Sequence, residues 1–221
     1  MDDSKTKVDD SNIKQDKSFI HKFIQYKLMK KSTWIIIAVV AVAAIWLVSK
    51  YNGMVSGDEN VNKVWADVEA QYQRRADLIP NLVSVVKGYA EHEKGTFEAV
   101  VEARAKATSI NLTVDDLTEE NMKKLQSAQA ELSGALSRLM AVAENYPDLK
   151  ANEQFLNLQA QLEGTENRIT VARKEFNEAV KDYNLLIRTF PGNLIAGFFG
   201  FQQRSPFAAD EGASKAPKVE F

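Results

Sequence analysis

Apolar residues fall along this chain in two patterns. From Ser32 to Ser49 there are 18 residues without a charge, bracketed by Lys31 and Lys50, and the 15 from Trp34 to Val48 are all apolar. Beyond residue 57 the apolar positions return at intervals of three and four, the signature of helices with one buried face. The first pattern has no polar face and predicts a membrane span. At about 1.5 Å per residue, the 18 residues cover about 27 Å, close to the hydrocarbon thickness of a bilayer. Lys31 and Lys50 can snorkel to the headgroups, and Trp34 and Trp46 stand near the two ends, where indole rings favour the interface. A cleaved signal sequence would need a positive region 31 residues long and a small-x-small site that the run does not end on, so an uncleaved anchor is expected.

The second pattern predicts an all-α architecture, with a single N-terminal transmembrane helix followed by an antiparallel bundle of three to four long helices. Between Asn152 and Phe190, steps of seven give Phe155, Leu162, Ile169, Phe176, Tyr183 and Phe190, with Leu158, Thr165, Ala172, Ala179 and Leu186 three residues after them. That is an a/d seam, which requires a long helix packed along its length. A second helix is expected from an N-cap at Thr118 to Asn145, with the stripe Met122, Leu125, Ala128, Leu132, Leu136, Leu139 and Ala143. The third apolar stripe runs through Asp58 to Ala107. It is too long for its partners, and Pro80 should kink or break it because proline lacks a donor and clashes with the Ala76 carbonyl.

The domain plan is thus a basic, partly disordered N-terminus (1–31), the span (32–49), a linker (50–57), the bundle (58–190) and a Phe-rich C-terminal tail (191–221). Within residues 1–31, positions 19–31 mix apolar residues with lysines, which fits a basic amphipathic helix on an anionic leaflet or the cytoplasmic end of the span. The tail holds Phe198, Phe199, Phe201, Phe207 and Phe221, too many to be wholly solvated. Its glycines favour a segment folded back onto the bundle, the alternative being an apolar patch open to a partner or the bilayer.

Charge sets orientation. The 20 residues before Ser32 contain Lys14, Lys17, Lys22, Lys27, Lys30 and Lys31, against Lys50 and Lys63 in the 20 from Lys50 onward. Six against two puts the N-terminus in the cytoplasm and the bundle outside. The whole chain carries 28 basic and 30 acidic residues, a net −2, which argues against nucleic-acid binding. There is no cysteine, so disulfides, thiolate metal sites and cysteine nucleophiles are excluded.

Chemistry is sparse. A carboxylate-bridged di-metal bundle needs two Glu-x-x-His pairs, and beyond the span only His92 is available. Ser84-Val85-Val86-Lys87 has Ser-x-x-Lys spacing without the companion motifs of acyl-transfer enzymes. No catalytic residue, metal site or cofactor is expected. Arg74 and Asp77, spaced i, i+3, read as a solvated ion pair with Arg75 on another face, and Asn81, Asn145, Asn152 and Asn193 read as caps beside breaks.

Arg74-Arg75-Ala76-Asp77-Leu78-Ile79-Pro80-Asn81-Leu82-Val83, followed by Val86-Lys87-Gly88-Tyr89-Ala90-x-His92-Glu93, resembles the opening signature of the LemA family. Later blocks resemble it in the same order: Leu132-Ser133-x-Ala135-Leu136-Ser137-Arg138-Leu139, Glu144 through Asn152, Glu163-Gly164-Thr165-Glu166-Asn167-Arg168-Ile169 and Phe190-Pro191. The resemblance covers residue 51 to the C-terminus and implies a bacterial membrane protein with one N-terminal span, an all-helical domain, and no known enzyme activity or cofactor. Family descriptions often place a short N-terminus outside, whereas the lysines here place it inside.

These readings converge on a non-enzymatic, membrane-anchored scaffold or adaptor of the cell envelope. Its expected partners are the bilayer through residues 32–49 and an envelope protein, with homo-oligomerisation left open. The alternative is an extracytoplasmic sensor or ligand-binding domain with a cleft near Pro80. The candidate interaction residues are Arg74, Arg75, Asp77, Asn81 and His92 for the cleft, and Phe198, Phe199 and Phe201 for a partner.

Overall fold

A computed structural model describes residues 4–208, with side chains from residue 32 onward. Among the described residues the chain is all-α, with helices α1 (Ser4–Lys87), α2 (Lys94–Ser109), α3 (Glu119–Ala143), α4 (Pro147–Lys150), α5 (Glu153–Arg188) and α6 (Gly192–Phe199), and no strand. Two compact units divide between Asn52 and Gly53.

In the N-terminal unit the apolar run is helical and keeps its large side chains exposed, from Trp34 at 68% to Val48 at 55%. It is the one helix among the described residues that is long and apolar enough to cross a membrane. A surface apolar all round is unfavourable in water and suits hydrocarbon. The amphipathic face expected at residues 19–31 lies outside the described side chains, and Phe221 lies outside the described residues.

In the C-terminal unit the linker expected at 50–57 is helical: α1 runs through Gly53 and Gly57, and Met54 is already buried. Gly57 lies close against α5, where an added Cβ would sit 3.1 Å from Leu186 Cδ1.

Pro80 does not end α1 either. The helix continues to Lys87, and the split comes at residues 88–93. The expected steric problem is real but is answered from outside the helix. Proline cannot donate to the Ala76 carbonyl, and Arg104 Nε, from α2, donates to that oxygen at 2.8 Å instead. The four long helices are therefore α1 from Gly53, α2, α3 and α5.

Two clusters of buried residues show how they run. Ile79, Leu82 and Val86 of α1 pack with Phe97 and Val100 of α2, Leu132 to Ala143 of α3, and Phe155 and Leu162 of α5. Met54 to Val68 of α1 pack with Met122 and Leu125 of α3 and Ala172 to Ile187 of α5. Successive helices thus alternate in direction. The α3 stripe is buried at all seven expected positions, and Thr118 caps α3 by accepting from Asn121 N at 3.3 Å. The α5 seam is buried from Phe155 to Tyr183 except at Leu158, which is half-buried, whereas Leu186 is exposed, and so is Phe190, because the helix ends at Arg188 and Ile187 becomes the last buried residue.

Candidate functional site

The residues singled out near Pro80 do not line one cleft. Arg74, Asp77, Asn81 and His92 are exposed, and Asp77 accepts from Gln73 Nε2 at 2.7 Å rather than pairing with Arg74. Asn81 sits inside α1 and does not cap it. Asn152 does act as a cap, accepting from Phe155 N at 3.0 Å at the start of α5. His92 lies in the turn between α1 and α2, and no metal-binding cluster occurs among the described residues.

Arg75 points the other way from its solvated neighbours. At 2% exposure it is the largest fully buried side chain, set between the two apolar clusters. Its Nη1 donates to Ser133 Oγ at 3.0 Å and to Glu166 Oε1 at 2.5 Å, its Nη2 donates to Gln129 Oε1, and its Cζ stands 5.6 Å from the Tyr72 ring centroid. Thr165 beside it is also fully buried, donating to Gln161 O at 2.7 Å and accepting from Arg168 Nη2 at 3.2 Å. A charge can occupy this interior because α3 supplies Gln129 and Ser133 and α5 supplies Glu166 as polar partners, with the Tyr72 ring of α1 beside the guanidinium. The helical period does place Arg75 on the inner face, one step before Ala76 and four before Ile79. Its charge concealed that placement.

The tail divides. α6 docks through Gly192, Ile195 and Ala196. Gly192 must be glycine here, since a Cβ would sit 2.6 Å from Leu186 O. Gly200 ends α6 in the left-handed conformation (φ 80°), so that Phe201 N reaches Ala196 O at 3.0 Å. The outer face keeps Leu194 and Phe198 exposed, Phe198 at 84%, with Phe198 and Phe199 ring centroids 5.1 Å apart edge to face. Phe201 is half-buried against the aromatic cluster.

Residues 201–208 then form a strap held by side-chain amides. Asn184 donates to Arg204 O at 2.8 Å and accepts from Arg204 N at 3.0 Å. Asn177, one heptad earlier, does the same for Phe207 at 3.2 and 2.8 Å, and Gln126 of α3 holds Ala208 at 3.0 and 3.3 Å. The Arg204 guanidinium reaches Asp58 at 3.1 Å and Asp115 at 2.8 Å. Phe207 completes an aromatic trio, its ring centroid 5.3 Å from Phe176 and 6.2 Å from Trp65. None of Asn177, Asn184, Gln126 or Arg204 was marked by the sequence pattern. The heptad spacing of the two asparagines was the one available signal.

A cleft of about 280 Å³ opens between α1, the end of α2 and α3. Trp65, Glu69, Tyr72 and Gln73 line it from α1, Leu112 from the following loop, and Gln129 from α3. Trp65 Nε1 donates to Leu112 O at 3.0 Å, which fixes the indole. Burial raises the Glu69 carboxyl above its ordinary range.

A family model described as the LemA family matches residues 64–221. "Magnetosome protein MamQ 2" of Paramagnetospirillum magneticum is 27% identical over 201 residues, covering 83% of this chain and 73% of that protein. "Magnetosome protein MamQ" of Magnetospirillum gryphiswaldense is 27% identical over 174 residues, 71% of this chain and 64% of its own length. "Protein LemA" of Metamycoplasma hominis is 23% identical over 164 residues, covering 74% of this chain and 71% of its own.

Proposed function

The chain belongs to the LemA family, and on that premise we propose that it is a membrane-anchored scaffold or adaptor of the bacterial cell envelope, with no enzymatic activity of its own. The observation that carries this reading is α6. One of its faces is locked to the bundle while the other holds Leu194 and Phe198 in solvent. Exposed aromatic and aliphatic groups on a rigid helix are what a partner surface requires, because little ordering entropy is lost on docking. The buried polar groups support it too. The two terminal nitrogens of Arg75 join α1 to α3 and α5, and Arg204 ties the tail to Asp58 and Asp115, which is the chemistry of a frame. The six-to-two lysine bias supports a cytoplasmic N-terminus, a single pass through the cytoplasmic membrane, and a bundle outside.

The test is site-specific crosslinking in living cells. A photo-crosslinking amino acid placed at position 198 of the full chain should give a discrete adduct that weakens in Leu194→Ser and is missing when the probe stands at position 74. An adduct of twice the chain mass would identify the partner as a second copy. Adducts of equal yield at both positions, or none at 198, would count against the scaffold.

A further inference from the structure

We infer that the bundle sits on the bilayer surface through the corner between α5 and α6, with Leu185, Leu186 and Phe190 in the lipid interface and Arg188 among the headgroups. The inference rests on the membrane anchor of the proposed function and not on its protein partner. Among the described residues from Gly53 onward, ten large apolar side chains are exposed, and six of them fall between Leu185 and Phe199. Phe190, in the short turn between the two helices, is 79% exposed. Such clustering marks a surface that something else covers.

Position along the chain selects the bilayer as the cover. Leu186 lies against Gly57, and an added Cβ on Gly192 would sit 3.1 Å from Met54 Cε, so the corner stands at the level of residues 54–57. Met54 follows Ser49, the last residue of the uncharged run, by five positions. As helix those positions rise about 8 Å, and no conformation carries them beyond about 18 Å. One headgroup layer is itself about 5 to 8 Å deep. The opposite end of the bundle, at the turn of residues 88–93, comes about 50 Å farther along α1.

Charge agrees with position. From Tyr183 to Ala209 the chain has no aspartate or glutamate, and its two charged residues are Arg188 and Arg204. Arg204 is held by Asp58 and Asp115, whereas Arg188 is exposed. The turns of the opposite end instead carry Glu91, Glu93, Glu144 and Asp148. An apolar corner with a cation and no acid fits anionic phospholipid, while the carboxylates of the far end would be repelled by it. A protein could be met anywhere on the bundle, but the exposed apolar residues gather at the anchored end.

The experiment uses the unsubstituted full chain in nanodiscs of phosphatidylcholine and phosphatidylglycerol that contain a phospholipid with a photoreactive diazirine near the carbonyl end of one acyl chain. After illumination and proteolysis, mass spectrometry locates the lipid adducts. The expected result is adducts within residues 32–49 and again within 185–190, with none at 88–93 or at Val101, an exposed apolar residue of α2. Phe190→Glu should lower the yield at the corner by about tenfold or more, the scale of one large apolar side chain leaving lipid, and leave the adducts of the span unchanged. Adducts confined to the span, a corner yield no higher than at Val101, or an undiminished yield in folded Phe190→Glu overturns the seat and leaves the anchor standing. Absence of adducts from the span as well would overturn both. Adducts that extend to Phe198 uphold the seat but give the outer face of α6 to lipid, against the protein partner placed there. Labelling of the unsubstituted chain decides even where Phe190→Glu disturbs the turn.

Discussion

The two ends of the bundle are built differently. At the end holding Ile79 to Val86, four helices enclose the apolar cluster, α2 supplying Phe97, Val100, Ala103 and Ala107. At the end holding Met54 to Val68, α2 contributes nothing, since its 16 residues stop at Ser109. The fourth wall there is assembled from Leu117 of the loop, Ile195 and Ala196 of α6, and Phe207 of the strap. A helix satisfies its own backbone, whereas a strap needs outside partners for the N–H and C=O groups it turns away from water. Asn177, Asn184 and Gln126 supply them in pairs. One end is thus closed by periodic packing within helices, the other by long-range side-chain contacts.

Cutting the strap is the largest perturbation of that contrast. Ending the chain after Gly200 should open the strap-closed end while sparing the four-helix end, so that hydrogen exchange speeds up over residues 54–68 and stays slow over 79–86. Phe207→Ala alone should cost about 4 kcal/mol, as large buried aromatics do, because its ring also supports Trp65 and Phe176. Leu139→Ala, fully buried at the other end, should cost about 3 kcal/mol and speed exchange in both ends together. Uniform loss of protection on truncation would make the bundle one cooperative unit and erase the distinction.

The polar layer between the ends gives the next test. Glu166→Ala strands a guanidinium that is 2% exposed, and should cost about 3 kcal/mol. Arg75→Met should cost about 1 kcal/mol or less, since Glu166 is 41% exposed and can return to water. Chemical denaturation of the two variants checks the order, and a reversed order would mean that the carboxylate, not the arginine, is the strained partner.

Glycines on α6 offer a finer comparison within one helix. Gly192→Ala places a Cβ 2.6 Å from Leu186 O and should cost about 2 kcal/mol by pushing α6 off its seat. Gly197→Ala meets nothing within 4 Å and should be neutral or stabilising by about 0.5 kcal/mol. Thermal melts of the pair separate close approach from helix propensity.

What could be read in the sequence follows the same divide. The seam from Phe155 to Tyr183 and the α3 stripe were legible because helix packing repeats, and a repeat survives without knowing the partner. Pro80 was legible as a defect but not as a tolerated one, because the donor that answers it, Arg104, lies on another helix, 28 positions from the Ala76 carbonyl it serves. Arg75 was misplaced onto the surface because a charge outweighs a period in any reading that lacks the three partners around it. The strap was least legible of all. Its anchors are amides on helix flanks, and nothing local distinguishes an asparagine that holds a distant backbone from one that is solvated. The cleft shares that limit: the i, i+4, i+7 spacing of Trp65, Glu69 and Tyr72 looks like any inner face until Leu112 and Gln129 close around it.

The smallest expected effect at neutral pH concerns how dry the strap-closed end is. Burial, reinforced by the Asp58 carboxylate, pushes the Tyr183 phenol up to about 12, whereas an unfolded chain titrates it near about 10. Its folded-state pKa is raised, so its contribution is complete below about pH 10, and stability falls from there to about pH 12 as the unfolded chain alone releases the proton. Tyr183→Phe should change stability by no more than about 0.5 kcal/mol at pH 7. By about pH 12 it should be favoured over the parent chain by at most about 2 kcal/mol. Lysines and the other tyrosines titrate in both proteins and cancel in the difference, so paired denaturation curves across that window isolate the one phenol. If the two curves fall in parallel, water reaches Tyr183 beneath Arg204, and a wall built from a strap seals its core less well than one built from a helix.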